Sequence, residues 1–152
     1  MAVVEYQTLI RREPEFVYHV SQDYGIRFDW DPFLEKLEVV RGDPNDPKIG
    51  TQVAVRSKLG MRMVVEFVQI DPPSKVAVKM LTGPKLIQKF AGSWVFRSQP
   101  EGTEVTFRYV FTMGPLAWLT TPVATAYFRR VVRLRVEALK RYCEQANHAH
   151  SR

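Results

Sequence analysis

The sequence predicts an α+β fold in which a curved antiparallel sheet of seven strands wraps around a long C-terminal helix, with two short helices after the first strand. Segments rich in β-branched and aromatic residues alternate with short loops of turn-forming residues. Loops this short force consecutive strands to run antiparallel, because a parallel crossover needs a dozen or more connecting residues. Near the C-terminus, the spacing of apolar residues becomes helical and stays so for about 24 residues.

The N-terminal part is expected to contain one strand and the first short helix. Residues 3–10 are rich in Val, Tyr, Thr and Ile, which favour a strand. Pro14 follows three charged residues and is suited to the start of a helix, since no N–H donor is needed at that position. A helix over 14–22 is therefore predicted.

A second helical segment should lead into the second strand. Trp30 and other apolar residues up to Leu37 recur at helical spacing. Pro32 limits this helix to one or two turns, because its ring blocks a helical hydrogen bond. The chain is then expected to extend over 37–41 and to turn within the Gly, Asp, Asn and Pro cluster of 42–47.

The turn signals further along the chain define the remaining strands and the long helix. Five strands are predicted over 51–58, 61–70, 75–81, 86–97 and 103–113. After the first strand, the predicted topology is a meander. Pro122 either begins the long helix or lies one turn inside it. The helix is expected to end near residue 145.

We expect one domain over 1–146 and a polar tail over 147–152, because the chain has no linker, repeat or low-complexity tract. Cys143 is the only cysteine, so neither an intramolecular disulfide nor a cysteine zinc cluster can form. The first twenty residues mix charged and apolar types, unlike a cleaved secretion signal. No apolar run reaches the length of about eighteen residues that a membrane-spanning helix needs. These observations predict a cytoplasmic protein.

The sequence contains no motif for a metal or a cofactor, and neither is predicted. His19, His148 and His150 form no metal-binding motif, and the eight glycines are scattered rather than grouped in a phosphate-binding loop. Asp29 and Asp31 form a carboxylate pair that could do acid-base work if buried. Their positions near predicted turns favour solvated roles instead.

One face of the predicted sheet is strongly apolar and aromatic, because side chains alternate between the two faces of a strand. Its residues are Val53, Val55, Met61, Met63, Val65, Phe67, Phe90, Gly92, Trp94, Phe96, Val105, Phe107, Tyr109 and Phe111. A face this apolar has to be covered, and the C-terminal helix is the only long element available. The two either pack solidly or enclose a cavity.

The C-terminal helix is predicted to be amphipathic, with a basic outer face. Its apolar arc contains Ala124, Tyr127, Phe128, Val131, Val132, Ala138, Leu139 and Tyr142, and its basic side contains Arg129, Arg130, Arg133, Lys140 and Arg141. Arg135 lies within the apolar arc, where an unpaired guanidinium is costly to bury. It either holds an oxygen atom of a bound ligand, pairs with a carboxylate such as Asp29, Asp31 or Glu35, or reaches solvent at the sheet edge.

The order of these elements resembles the helix-grip fold of the Bet v 1 and START (SRPBCC) superfamily, most closely its polyketide cyclase/dehydrase-like branch. The resemblance covers nearly the whole chain. Besides the element order, it rests on Phe28-Asp29-Trp30-Asp31-Pro32-Phe33, Gly92-Ser93-Trp94-Val95-Phe96 and Gly114-Pro115-Leu116. It implies that the curved sheet and the helix stand apart around a pocket.

We therefore expect a protein that binds a hydrophobic small molecule, such as a lipid, quinone, isoprenoid or polyketide-like aromatic, without changing it. The expected ligand-binding residues are Trp30, Phe33, Val53, Val55, Met63, Val65, Phe67, Phe90, Trp94, Phe107, Tyr109, Tyr127, Val131 and Arg135. Trp30 is equally suited to be a core residue. The resemblance also permits an aromatase/cyclase or dehydrase type of enzyme, in which Arg135 and Tyr109 would polarise a carbonyl oxygen as enolate charge develops.

The formal charge of +6 and the basic helix face favour anionic partners. Peripheral contact with an anionic membrane therefore stays open. Nucleic acid is less favoured, because a charged helix face is normally just solvated. Trp118 and Leu119 form an apolar segment at the helix entrance that can gate the pocket, touch a membrane or touch a second subunit. The sequence leaves monomer and homodimer open.

Overall fold

The computed structural model describes the backbone of residues 1–150 and the side chains of residues 1–145. Its elements are β1 (Ala2–Ile10), α1 (Pro14–Gln22), α2 (Arg27–Trp30), β2 (Leu34–Arg41), β3 (Gln52–Ser57), β4 (Arg62–Asp71), β5 (Lys75–Thr82), β6 (Ile87–Gln99), β7 (Gly102–Met113) and α3 (Ala117–His150). The predicted polar tail, 147–152, lies outside the part of the chain whose side chains are described.

The seven strands form one antiparallel sheet in the order β1-β7-β6-β5-β4-β3-β2. Strands β2 to β7 are a meander, as predicted, since each pairs with its neighbour in sequence. Strand β1 pairs instead with β7, from Ala2 opposite Phe111 to Ile10 opposite Thr103. The α+β helix-grip architecture expected from the sequence is therefore confirmed.

Helix α3 packs its apolar side against β1 and β7. Val132, Val136 and Leu139 are completely buried in this contact. Arg129 and Arg133, on the other side of the helix, are exposed, which confirms the predicted basic outer face. Packing of such an amphipathic face, rather than helix propensity, supplies most of the stability of a helix in a folded protein.

The short helices α1 and α2 close one end of the sheet. Val17 and Val20 of α1 are buried, and the helix contacts β6, β7 and α3. Tyr18 meets Phe96 of β6 edge to face, with ring centroids 5.5 Å apart. Helix α1 therefore packs into the core at this end of the sheet.

The boundaries of β2 and α3 differ from the sequence prediction. β2 begins at Leu34, so Leu34 and Leu37 extend along a strand rather than continuing a helix. The helix stops earlier because Pro32 has no N–H, and because the backbone N–H of Phe33 donates to Asp31 Oδ1 at 2.9 Å.

Helix α3 begins at Ala117, so Pro122 lies inside it rather than at its start. The proline removes one hydrogen bond, the one to the carbonyl oxygen of Trp118. Trp118 is 77% exposed, so water can reach this turn of the helix. No helix in the described part of the chain has the length and apolar character needed to cross a membrane.

Candidate functional site

A cavity of about 110 Å³ lies between the concave face of the sheet, α3 and the α1–α2 segment. On its helical side it is lined by the polar or charged side chains of Gln22, Tyr24, Arg27 and Arg135. The other lining residues are Phe33, Leu34, Leu37, Val53, Val55, Met61, Met63, Val65, Phe67, Val76, Val78, Phe90, Gly92, Trp94, Phe107, Tyr109 and Phe128. The cavity is therefore mostly apolar, with polar groups concentrated on the helical side.

Eleven of the fourteen residues that the sequence suggested for ligand binding line this cavity. They are Phe33, Val53, Val55, Met63, Val65, Phe67, Phe90, Trp94, Phe107, Tyr109 and Arg135. Trp30 lies behind the wall as a core residue: its indole N–H donates to the carbonyl of Val20 at 3.3 Å, and its ring meets Trp94 edge to face. Tyr127 and Val131 line a neighbouring surface depression, which Arg135 also borders.

The remaining lining residues were not among the expected ligand contacts. Phe128 lies on the predicted apolar arc of α3, and Met61 and Gly92 lie on the predicted inner rows, so the periodicity carried a signal for these three. For Arg27 the periodicity carried no such signal. Only its spacing of four residues from Asp31 links it to the site. Its burial depends on the turn between α2 and β2, which the sequence pattern does not specify.

The sheet register places Tyr109 opposite a glycine. Gly92 in β6 is paired with Tyr109 in β7 and with Val78 in β5. A Cβ atom at Gly92 would make an ordinary contact with the Tyr109 ring at 3.4 Å, so the glycine leaves space for one methyl group beside that ring in the cavity wall. Phe90 and Phe128 contact the same ring, with centroids at 4.7 and 5.5 Å.

A buried charge cluster forms the polar corner of the cavity. Arg135 of α3 donates from Nε and Nη2 to Asp31 Oδ2, at 3.2 and 2.8 Å. Arg27 of α2 donates from Nη1 to the same oxygen at 3.4 Å. The Asp31 carboxylate is completely inaccessible to solvent. This corrects the expectation that Asp31 is solvated, and it identifies the internal partner of Arg135.

The local structure explains why Asp31 points inward. Asp31 is the C-cap of α2, and its Oδ1 accepts the backbone N–H of Phe33, so the side chain folds back over the turn. The single turn of α2 puts Arg27 four residues earlier on the same side. Both charges therefore face α3, where Arg135 completes the cluster.

Electrostatics fix the charge states of this cluster. Burial disfavours the charged form of Asp31, but the nearby Arg135 and Arg27 outweigh it and hold the pKa of Asp31 below its ordinary value. Burial also lowers the pKa of Arg27, partly offset by Asp31. For Arg135, the attraction of Asp31 and Tyr109 exceeds the cost of burial, so its pKa is raised. Two cations and one anion leave the cluster with a net charge of +1.

Tyr109 connects the charge cluster to the cavity. Its hydroxyl oxygen accepts a hydrogen bond from Arg135 Nη1 at 2.6 Å. Burial raises the pKa of Tyr109 against the opposing effect of Arg135, so the phenol stays protonated at neutral pH. Among the described residues, the phenol proton has no acceptor, and Arg27 Nε is a buried donor that also has no partner. The corner therefore has more donors than acceptors.

This arrangement can hold an acceptor oxygen of a bound molecule. Tyr109 is a donor with a raised pKa, and Arg135 polarises it. Within the described residues, no group of three or more His, Cys, Asp or Glu side chains is placed to hold a metal ion. Cys143 lies on the buried side of α3 and outside the cavity lining, and burial raises its pKa to about 12.

Solved structures of low sequence identity share the fold of this chain. TTHA0849 from Thermus thermophilus has a TM-score of 0.79 and 20% identity, covering 95% of this chain and 99% of that one. A START superfamily protein from Mycobacterium smegmatis has a TM-score of 0.79 and 10% identity, covering 95% and 98%. The ZhuI aromatase/cyclase from Streptomyces sp. R1128 has a TM-score of 0.75 and 16% identity, covering 95% and 94%. At these identities the likeness shows the fold alone.

The sheet order and the cavity beside α3 define a helix-grip protein, and the family model that matches the chain confirms the resemblance found in the sequence. Residues 1–144 match the family described as polyketide cyclase / dehydrase and lipid transport, and the chain belongs to this family. A search of curated proteins finds no match to the chain.

Proposed function

We propose that the protein binds a hydrophobic small molecule that carries an acceptor oxygen, and that it holds this molecule in the cavity between sheet and α3. The observation that carries the proposal is the Tyr109 hydroxyl: it is fixed by Arg135, it belongs to a residue of the mostly apolar cavity lining, and its proton has no acceptor among the described residues. Pockets that bury apolar ligands combine such walls with a few placed polar groups. Lipids, quinones and polyketide-like aromatics all carry carbonyl or hydroxyl oxygens that suit this donor.

The size of the cavity limits what enters without rearrangement. At about 110 Å³ it is somewhat smaller than an apolar cavity of ~150 Å³ that accepts benzene in another protein. A single ring is therefore the natural probe. A longer ligand requires side chains to move, and the half-buried Phe33, Leu37 and Met61 are the candidates on the β2 and β3–β4 side. Methionine adapts readily, since its side chain is unbranched.

Acetophenone and ethylbenzene test the proposal because they share a ring and a two-carbon substituent but differ in the carbonyl oxygen. We expect both to bind, and acetophenone to bind about 2- to 12-fold more tightly, the range that one net hydrogen bond supplies. Titration followed by backbone amide NMR shifts measures both dissociation constants and shows whether residues of β5, β6 and β7 respond.

The Tyr109→Phe variant is the matched control, because it keeps the ring and removes only the hydroxyl. It should bind ethylbenzene as the unmodified protein does and lose its preference for acetophenone. Equal affinity for the two probes in the unmodified protein would contradict the role of Tyr109. Absence of binding by either probe, together with mass spectra of natively purified protein that show no bound small molecule, would contradict the whole proposal.

A second candidate function is an enzyme of the aromatase/cyclase type, and the pairing of Arg135 with Tyr109 favours it. A carbonyl oxygen at the Tyr109 hydroxyl would gain a stronger hydrogen bond as solvent water takes the α-proton and enolate charge develops, because Arg135 donates a hydrogen bond to the Tyr109 oxygen and polarises it. Exchange of the α-protons of bound acetophenone for deuterium, followed by NMR, tests this. Turnover would be supported if exchange is faster with the protein than in buffer and if Tyr109→Phe abolishes this acceleration. If the protein does not change the exchange rate, the cavity binds the molecule without catalysing enolisation.

A further inference from the structure

Five large apolar side chains are exposed together at one end of the molecule. Leu86 lies in the β5–β6 turn, and Leu116, Trp118, Leu119 and Val123 lie at the start of α3; each is between 50% and 77% exposed. The β5–β6 turn lies next to the turn between β7 and α3. The backbone N–H of Gly114 in the second turn donates to the carbonyl of Leu86 in the first at 2.8 Å. We call this set the apolar tip. An exposed group of this size marks an interaction surface.

The chain segments that form the apolar tip contain no acidic residue. Neither 72–100, which includes β5 and β6, nor 105–136, which includes most of β7 and the first half of α3, has an Asp or a Glu. Lys85 is an exposed residue of the β5–β6 turn, next to Leu86. This end of the protein is therefore apolar at its tip and positive around it.

The helix places basic residues behind the apolar ones. Arg130 follows Val123 by seven residues, which puts it on the same face of α3 and about 10 Å further along the axis. Arg130 is exposed, while Phe128 between them points into the cavity. These helical turns therefore have two sides. The outward side carries Val123 and Arg130, and the inward side closes the cavity.

We infer that the apolar tip docks on an anionic membrane surface. Trp118 and the leucines would enter the interface between head groups and acyl chains, where tryptophan is favoured, and Lys85 and Arg130 would contact the anionic head groups. A second copy of the chain fits the charge less well, because it would bring two positive surfaces together. Docking through the apolar tip would place the turns of α3 that close the cavity against the membrane. This inference does not depend on which ligand the cavity holds.

Co-sedimentation with vesicles tests this inference with the full chain. Vesicles of phosphatidylcholine with 30 mol% phosphatidylglycerol are compared with vesicles of phosphatidylcholine alone, and we expect binding to the anionic vesicles that weakens with salt. The double variant Trp118→Ser/Leu119→Ser should reduce binding at least about tenfold, since it removes two large apolar groups from the interface. The control Ile49→Ser replaces a residue that is 69% exposed in the loop between β2 and β3, and it should bind normally.

A matched pair of double variants tests whether the basic residues contribute to membrane binding. Lys85→Glu/Arg130→Glu should reduce binding about tenfold or more, because each basic residue near an anionic surface strengthens binding by about fivefold. Lys36→Glu/Lys48→Glu makes the same change in net charge at exposed positions on β2 and in the β2–β3 loop, and it should have a much smaller effect. All four variants should keep the affinity for acetophenone, which separates this test from that of the proposed function.

Three results would overturn the inference: no sedimentation with anionic vesicles, equal binding to both vesicle types, or equal loss in the tip variants and their controls. Self-association seen by analytical ultracentrifugation, lost in Trp118→Ser/Leu119→Ser and unaccompanied by vesicle binding, would assign the apolar tip to a second copy of the chain instead.

Discussion

Arg135 and Asp31 are 104 positions apart in the chain, yet they form a charge pair that solvent scarcely reaches, with Nη2 and Oδ2 2.8 Å apart. Arg27 shares the same carboxylate oxygen. One carboxylate thus compensates two buried guanidinium groups, which makes it the member of the cluster that is hardest to replace.

Asp31→Asn should destabilise the protein by about 3 to 5 kcal/mol, because it leaves two buried cations without an anion. Urea denaturation followed by circular dichroism measures the loss. Glu35→Gln is the control, since Glu35 forms an exposed pair with Arg56 at 2.7 Å. That change should cost at most about 1 kcal/mol. A cost as small for Asp31→Asn would show that the cluster contributes little to stability.

Arg135→Met should cost less than Asp31→Asn, about 1 to 3 kcal/mol, because Arg27 still pairs with the carboxylate in this variant. The variant also removes the donor that fixes the Tyr109 hydroxyl. Its preference for acetophenone over ethylbenzene should therefore fall, as measured by the same NMR titration. A normal preference combined with lower stability would restrict Arg135 to a structural role.

The stability of the protein should fall steeply in acid because of Asp31. Its pKa is lower in the folded protein than in the unfolded chain, where an aspartate titrates at about 3.9. The resulting stabilisation is fully present above the unfolded value and is lost as the pH falls through the folded value. The melting temperatures of the unmodified protein and Asp31→Asn, measured from pH 7 to 2.5, should therefore begin to approach each other as the pH falls below about 4. A constant difference across this range would contradict the assignment.

Gly92→Ala should separate ligand binding from stability. The added methyl group would make an ordinary contact with the Tyr109 ring at 3.4 Å, and alanine loses less backbone entropy on folding than glycine does. We expect stability to stay equal or rise by up to about 1 kcal/mol, while both aromatic probes bind more weakly because the cavity is smaller. Unchanged affinity would place the ligand away from β6.

The Cys143 thiol should be inert in the folded protein. It is completely inaccessible, and burial raises its pKa to about 12, so almost no thiolate forms at pH 8. Ellman's reagent should react at the rate of unfolding, and quickly in 8 M urea, which serves as the control. Fast reaction without denaturant would show that the C-terminal part of α3 opens readily from the sheet.

Much of the fold could be predicted because local patterns specify it. The aromatic row from Phe90 to Phe96 alternates strictly, so only one face can be buried and the strand register follows. Gly60, with φ at +89°, and the proline-rich turns mark the strand ends. The start of α3 is harder to predict, because a proline can either begin a helix or lie inside it. An exposed proline near the helix start, such as Pro122, destabilises the helix less than a proline in a buried helix interior does.

The candidate site was predictable in its apolar part and in the buried position of Arg135. Alternation identifies Trp94 and Phe107 as inward residues, and the helical wheel identifies Arg135 as a buried charge. Neither pattern says that Asp31 turns inward from the end of α2, or that Arg27 follows it. Those positions depend on a side-chain hydrogen bond to Phe33 and on contacts across the fold, which no local pattern specifies.

The pairing of β1 with β7 has a consequence for how the cavity comes into being. Its hydrogen bonds join residues about a hundred positions apart, and Arg135 must then reach Asp31 at the end of α2. Closure of such distant contacts is slow compared with local helix or hairpin formation. On the ribosome, the meander can form early, but the nascent chain cannot enclose a ligand until α3 has emerged. Loading of the cavity is therefore expected to follow synthesis of the chain rather than accompany it.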